Sequence, residues 1–255
     1  MDSRQWQKWY TKIVNKLNYN PRKDKEAALL LGELLKGRET SLENLRQRAA
    51  RRPILIFGAG PSLEKDIERI METQLLEKCC LITADGATTG LLKVANKSPD
   101  IIVTDLDGVI EDIQTANKRG SYIVIHAHGD NMPQLKQYAR TFTTVIGTTQ
   151  VEPIEGLHNF GGFTDGDRAV FLAGILSKEP IALAGMNLGN IVGKYSKKQV
   201  PSIEIKRIKL RFCKELLEWF ASNAENDLYN ITFDGEDING FRKTTPKEFE
   251  QIING

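Results

Sequence analysis

Six short apolar runs dominate this chain, at residues 54–57, 80–84, 101–104, 122–125, 143–146 and 181–184. Each is too short to be a core helix and ends in turn-forming residues, which is the pattern of a strand buried on both faces. Helix-length stretches of mixed polarity separate most of them. Strand and helix therefore alternate, and parallel strands joined by crossover helices are the arrangement that buries such a series. No internal repeat or low-complexity tract interrupts it.

The flanks differ from this middle part. Over residues 1–52, Trp6, Trp9, Tyr10, Ile13, Val14 and Leu17 share one helical face, which is expected to pack on its own domain. Asn20-Pro21 breaks that helix. Ala27, Leu30, Leu31, Leu34 and Leu35 form a second apolar series stopped by Gly37, and Thr40 with Glu43 fits a capping box for a third helix. Beyond Gly193 comes a basic connector, Lys194-Tyr195-Ser196-Lys197-Lys198. A helical stretch over 205–220 follows, then a short strand at 230–233 and a capped terminal helix opened by Thr245-Pro246-Lys247-Glu248. The expected architecture is α/β: a Rossmann-like three-layer α/β/α fold with a mainly parallel sheet, an N-terminal helical segment and a small C-terminal α+β extension. Its segments are 1–52, a catalytic domain at 53–195, and 196–255.

At 255 residues, with 40% hydrophobic and 27% charged side chains, the chain can bury a large core. A net charge of +2 gives no electrostatic footprint for nucleic acid. No apolar stretch approaches a membrane span, and no signal-peptide segment opens the chain. Cys79, Cys80 and Cys213 lack disulfide or metal-ligand spacing and are expected to be reduced and structural. The expected location is the cytoplasm.

In an open parallel sheet, ligands bind beyond the carboxyl ends of the strands, so the residues after each run carry the chemistry. The third run ends in Asp105-Leu106-Asp107-Gly108. On extended backbone, residues two apart point the same way with Cα atoms about 6–7 Å apart. Two hard carboxylates at a strand end suit Mg²⁺, which keeps several waters and takes phosphate oxygens as well. The first run ends in Gly58-Ala59-Gly60-Pro61-Ser62-Leu63, a tight turn before a helix whose N–H groups suit phosphate. Leu63 occupies the place of the third glycine of a dinucleotide fingerprint, which argues against a dehydrogenase with Asp85 on ribose.

The other endings are equally polar. They include Asp85-Gly86-Ala87, His126-Ala127-His128-Gly129-Asp130-Asn131, Gly147-Thr148-Thr149-Gln150 and Gly185-Met186-Asn187-Leu188-Gly189. Gly161-Gly162-Phe163-Thr164-Asp165-Gly166-Asp167-Arg168 opens an apolar helix. Two histidines with no further ligand do not make a zinc site, whereas Asp130 suits magnesium or nucleotide. The expected metal and catalytic residues are Asp105, Asp107 and Asp130. Expected to bind nucleotide or substrate are Gly58, Gly60, Ser62, Asp85, Gly86, His128, Asn131, Thr148, Asp167, Arg168 and Asn187. Lys194 with Arg168 would clamp phosphate, and Asn187, Asn131 and Thr149 are candidates for a planar substrate's polar edge.

Taken together, these motifs resemble those of the archaeal 6-hydroxymethyl-7,8-dihydropterin pyrophosphokinases, whose catalytic domain is similar in fold to thiamine pyrophosphokinase. The match is best over residues 54–190. The resemblance implies transfer of a diphosphoryl group from ATP to the hydroxymethyl group of a reduced pterin, with Mg²⁺ as cofactor and AMP released. It implies that Asp105 and Asp107 correspond to the acidic strand-end pair of the thiamine enzyme, Asp130 to its next acidic motif, and Asp165 or Asp167 to a later one. The partners would be ATP and a reduced pterin, with no nucleic acid or membrane, and a homodimer left open. His126-Ala127-His128 and Asn131 depart from the thiamine enzyme and argue against thiamine.

Three other readings compete. Residues 101–110 imitate the nucleophile motif of haloacid-dehalogenase-type phosphatases, with Asp105 phosphorylated. That motif normally opens its domain, and here two βα units precede it. A sugar-nucleotide glycosyltransferase would share the Gly-x-Gly-Pro-Ser opening. A non-catalytic nucleotide sensor would not need so many carboxylates facing a polyanion.

Overall fold

The computed structural model describes residues 3–189, 191, 193–196 and 202–255. Lys197 and Lys198 of the basic connector lie outside the described residues. Three helices come first: α1 (Ser3–Leu17), α2 (Pro21–Leu35) and α3 (Leu42–Ala49). Asn20-Pro21 both separates and starts helices: the Asn20 side chain accepts the Arg22 N–H, and Pro21 opens α2. The cap of α3 is Ser41, which accepts the Asn44 N–H. Thr40, expected in that role, instead accepts the Val145 N–H, tying the loop to the sheet.

The alternating part follows as β1 (Ile54–Phe57), α4 (Leu63–Met71), α5 (Leu75–Lys78), β2 (Cys80–Ala84), α6 (Ala87–Ala95), β3 (Ile101–Thr104), α7 (Ile110–Lys118), β4 (Tyr122–Ala127), α8 (Met132–Tyr138), β5 (Val145–Thr149), β6 (Leu157–His158), α9 (Asp165–Leu176) and β7 (Ile181–Ala184). The chain ends with α10 (Ile203–Ala221), β8 (Leu228–Asn230), β9 (Arg242–Lys243) and α11 (Pro246–Asn254). The fifth strand starts two residues later than the apolar run, and the eighth ends at Asn230, where the run was expected to begin.

Among the described residues all nine strands are parallel, in the order β6-β5-β4-β3-β2-β1-β7-β8-β9. The sheet grows one way from β1 to β6. The chain then crosses back along α9, which packs over β1, β2 and β3, and β7 pairs with the free edge of β1. β1 and β7 therefore leave in opposite directions, the topological switch that opens a cleft at the strand ends. Alternate strand residues serve the two faces. Ile54, Ile56, Ile82 and Val103 pack with Leu45 of α3, Ala173 of α9 and Leu217 of α10. Leu55, Phe57 and Leu81 face Ile67 of α4 and Phe249 of α11, while Ile102, Ile123 and Val145 face Leu31 of α2 and Ile113 of α7.

The aromatic stripe of α1 packs within the chain. Trp6 and Ile13 are buried with Phe163, Phe171, Phe212 and Leu216 against α9 and α10. One carboxylate, Asp24 of α2, fixes this layer to the sheet ends. It is buried and accepts from Gly129 N–H (2.8 Å), Gln150 Nε2 (2.8 Å) and Tyr10 OH (2.6 Å). Replacing Asp24 by Ala strips three donors of their acceptor, a loss of about 3 kcal/mol. A lowered urea midpoint should report it, and an unchanged midpoint would show that water replaces the carboxylate without cost.

Candidate functional site

Asp105 and Asp107 do not lie on the strand. β3 stops at Thr104, and Leu106 adopts left-handed backbone (φ 67°) with its side chain buried. A period-two argument does not hold there, and the two carboxylates are aimed by a turn. The Thr104 hydroxyl accepts the Leu106 N–H (2.8 Å) and donates to Asp85 Oδ1 (2.5 Å). Asp85 follows β2, is itself left-handed (φ 40°), and donates its N–H to Val103 O. Asp tolerates that conformation better than most residues. Gly108 presses on the Asp85 carboxylate so closely that a Cβ would collide with it.

Carboxylate oxygens of Asp85, Asp105 and Asp107 thus come within 4.8 Å of one another. Burial, then the Asp107 and Asp105 charges, push the Asp85 pKa well above the ordinary carboxylate value. Asp165 at the start of α9 is raised in the same sense by burial and by Asp105, with Arg168 opposing. Hard, converging oxygens that repel one another without a cation fit a divalent metal, and Asp85, Asp105 and Asp107 are the residues that could hold it.

Asp130 lies apart from this group. It is exposed on the cavity wall, and its N–H donates to His128 Nδ1 (3.3 Å). That leaves the His128 Nε2–H to donate to Asp105 Oδ2 (3.1 Å), which orients the carboxylate. Asn131 is buried beneath, donating to Asp105 O and His126 O. Thr148 turns inward, where its hydroxyl donates to Ile125 O and meets His126 Nδ1. Burial, helped by Arg168 and His128, holds the His126 pKa well below its usual value, so this ring is neutral.

These groups open onto a cavity of about 590 Å³. Gly58 and Gly60 form its floor against the Gly185 carbonyl, where Gly60 N–H donates (2.8 Å) and a Cβ on Gly58 would stand 2.7 Å from the oxygen. Gly86 packs as tightly on the Tyr195 backbone. Asn187 Oδ1 accepts from both Ser62 N–H (3.1 Å) and Ser62 Oγ (2.6 Å), so the amide caps the loop before α4. Buried Asp66 locks the same corner, accepting from Ser62 Oγ, Gly185 N–H and Phe233 N–H.

On the opposite wall, Asp167 does not reach the cavity. Its oxygens accept the Phe163 and Thr164 N–H groups (2.6 and 2.7 Å) in the capping box of α9. Asp165, two residues earlier, lines the cavity beside Arg168 (3.5 Å). Buried Arg168 also donates to Gln150 Oε1 (3.2 Å), whose amide donates to Asp24. Gln150, named in the sequence as part of a polar strand ending, also lines the cavity, as do Asp24 and, from α10, Lys206 and Lys209, which the sequence reading missed. Exposed Lys194 pairs with Glu64 (2.7 Å) and is not among the cavity's lining residues, and Thr149 is buried, its hydroxyl accepting the Val151 N–H.

Residues 29–193 match the family model described as 6-hydroxymethylpterin diphosphokinase MptE-like. Three curated archaeal proteins named 6-hydroxymethyl-7,8-dihydropterin pyrophosphokinase are similar over most of their length. The protein of Methanothermobacter thermautotrophicus is 43% identical over 231 residues, 88% of this chain and 97% of its own. That of Pyrococcus furiosus is 40% identical, covering 86% and 94%, and that of Methanocaldococcus jannaschii 37%, covering 88% and 98%. Among solved structures, the MAf glycosyltransferase of Magnetospirillum magneticum AMB-1 is similar in fold, with a TM-score of 0.51 at 15% identity over 85% of this chain and 42% of that one.

The crowded acids set a pH dependence. A carboxylate whose folded pKa is raised binds protons more readily folded than unfolded, so stability falls as pH rises from the ordinary carboxylate range through the raised value. Asp85 and Asp165 both act in this direction. Added Mg²⁺ should raise the melting temperature more at about pH 8 than at about pH 5, because at the lower pH the ion must displace protons. An increment independent of pH would show that these carboxylates do not hold the ion.

Proposed function

The chain belongs to the MptE-like 6-hydroxymethylpterin diphosphokinase family, and from that premise we propose that it transfers the β,γ-diphosphoryl group of ATP to the hydroxymethyl oxygen of 6-hydroxymethyl-7,8-dihydropterin. The products are AMP and the pterin diphosphate. The observation that carries this reading to the level of a site is the convergence of Asp85, Asp105 and Asp107 in the lining of the cavity, beside Gly58 and Gly60. A volume of about 590 Å³ falls within the range of small-molecule pockets.

In this reading Asp85, Asp105 and Asp107 would hold Mg²⁺, which when bound would offset the negative charge of the polyphosphate. The chain's own groups supply position. The glycines at 58 and 60 let the turn after β1 pack directly on the Gly185 turn, which shapes this part of the cavity lining, and His128 keeps one Asp105 oxygen aimed. Arg168, fixed by Gln150 and Asp165, presents a guanidinium to the cavity. The pterin oxygen bonds to the β-phosphorus while the bridge from that phosphorus to the α-phosphate oxygen breaks. The hydroxyl proton passes to a rim carboxylate, and Asp165, whose proton affinity burial raises, is the one we assign. Such a transfer asks the protein mainly for alignment and charge. Segment 53–195 carries the phosphate chemistry, the flanking segments 1–52 and 196–255 close the cavity around it, and the reaction belongs to the cytoplasm.

Purified protein with ATP, Mg²⁺ and the dihydropterin should form AMP and pterin diphosphate in equal amounts. ADP in place of AMP would overturn diphosphoryl transfer. In the same assay Asp105→Asn and Asp107→Asn should each lower turnover by at least about 10²-fold with the fold retained, the scale of losing a central electrostatic element. Full turnover in both would reject the metal assignment.

A further inference from the structure

Helix α10 carries charge on its inward side. Lys206, Lys209, Cys213 and Leu217 are spaced by three, four and four residues, which places them on one helical face. Cys213 and Leu217 are buried in the central core, against the sheet and α9. The same face, followed toward the start of the helix, meets the cavity, and there it carries Lys206 and Lys209, with Ile205 and Leu210 lining the cavity beside them. An amphipathic helix ordinarily continues its apolar stripe along the side turned to the protein, so two ammonium groups on that side need an anionic counterpart.

Their surroundings fit a ligand. Lys206 is half-buried, its Nζ donating to Ser196 Oγ (2.6 Å), and Ser196 also lines the cavity. Burial and Lys209 lower its proton affinity, while Asp107 raises it, so the amine lies within electrostatic reach of the acidic group across the cavity. Lys209 Nζ stands 5.8 Å from the ring centre of Tyr19 and 5.9 Å from that of Phe163, two aromatics of the same wall. One side of the cavity thus holds three converging carboxylates and the other two lysines one helical turn apart. A metal-bound polyphosphate needs both: carboxylates for the cation, and ammonium groups for the phosphate oxygens the cation does not reach.

We propose that Lys206 and Lys209 are the polyphosphate clamp of this site, gripping the terminal phosphates of the nucleotide opposite Asp85, Asp105 and Asp107. This rests on the function proposed above. It assigns to the C-terminal extension a direct part in nucleotide binding, where the sequence reading gave the phosphate clamp to Lys194 with Arg168.

The clamp predicts opposite effects on two ligands. Lysines near a cation site repel the free ion and attract the polyphosphate. Lys206→Met and Lys209→Met should each weaken binding of a non-hydrolysable ATP analogue with Mg²⁺ by about tenfold or more in calorimetry, the scale of one charge-assisted hydrogen bond. Binding of Mn²⁺ alone, read by electron paramagnetic resonance, should be unchanged or tighter in both variants. Lys206→Arg should restore most analogue affinity, and fluorescence titration with 6-hydroxymethylpterin should stay within about twofold of the parent. Variants that bind the analogue like the parent, or that lose Mn²⁺ and analogue together, would overturn the clamp. A parent protein that binds neither Mn²⁺ nor the analogue would instead defeat the functional reading beneath it.

Discussion

Everything around the cavity answers one electrostatic problem: three carboxylates held within 4.8 Å of one another at the ends of two adjacent strands. Left to themselves such groups separate or take up protons. The scaffold prevents separation. A single threonine hydroxyl fixes Asp85 and the Leu106 backbone together, left-handed turns at Asp85 and Leu106 aim the side chains, and Gly108 leaves just the space the Asp85 carboxylate needs. Backbone in sparsely populated regions persists where its surroundings over-determine it, and such places cluster at functional sites. Here one left-handed residue, Asp85, belongs to the acidic group and the other, Leu106, separates its remaining two members, and the central strands that lead into them are fully buried.

The N-terminal helices are part of the same solution. Tyr10 and Gln150 meet on Asp24, Gln150 receives Arg168, and Arg168 meets Asp165. An unbroken line of hydrogen bonds therefore runs from α1 to the acid that faces the cluster. In a buried setting each member fixes the next, so removing one leaves a donor or acceptor unmet rather than merely weakening a contact. The aromatic stripe of α1 completes this. It gives α9 and α10 the apolar cover that lets their polar ends be turned toward the cavity.

Much of this was legible in the chain. Alternating apolar runs specify a parallel sheet, and a parallel sheet collects every strand-to-helix turn on one rim, so Gly58, Gly60, Asp85, Asp105, Asp107 and Arg168 could be assigned to one place without coordinates. What failed to read out was local direction. Asp167 and Asp165 differ by two positions at a helix start, and only the capping geometry shows which one turns inward to the backbone. Thr148 sits on a strand whose alternation hides it beside His126. Asp85 was legible as a strand-end acid, yet its meeting with Asp105 and Asp107 depends on β2 and β3 being neighbours and on a left-handed turn. Asp24, Lys206 and Lys209 come from elements that sequence order sets far from the rim, and tertiary packing alone brings them there, whereas Gln150 follows β5 and its part shows only in its bonds to Asp24 and Arg168.

That last group shows how the family's common sheet is turned into one particular cavity. The strand-end turns supply carboxylates and glycines, the minimum for holding a cation against phosphate, and comparable rims occur on many sheets of this kind. Specificity has to come from what is laid across the rim. In this chain that is the Asn20–Asp24 corner from one side and the lysine-bearing face of α10 from the other, with Tyr19 and Phe163 between them (ring centres 6.3 Å apart). A flat heterocycle needs apolar walls and a polyphosphate needs cations. Tyr19 and Phe163 supply the first and Lys206 and Lys209 the second, beside a group of acids whose mutual repulsion a bound cation would offset.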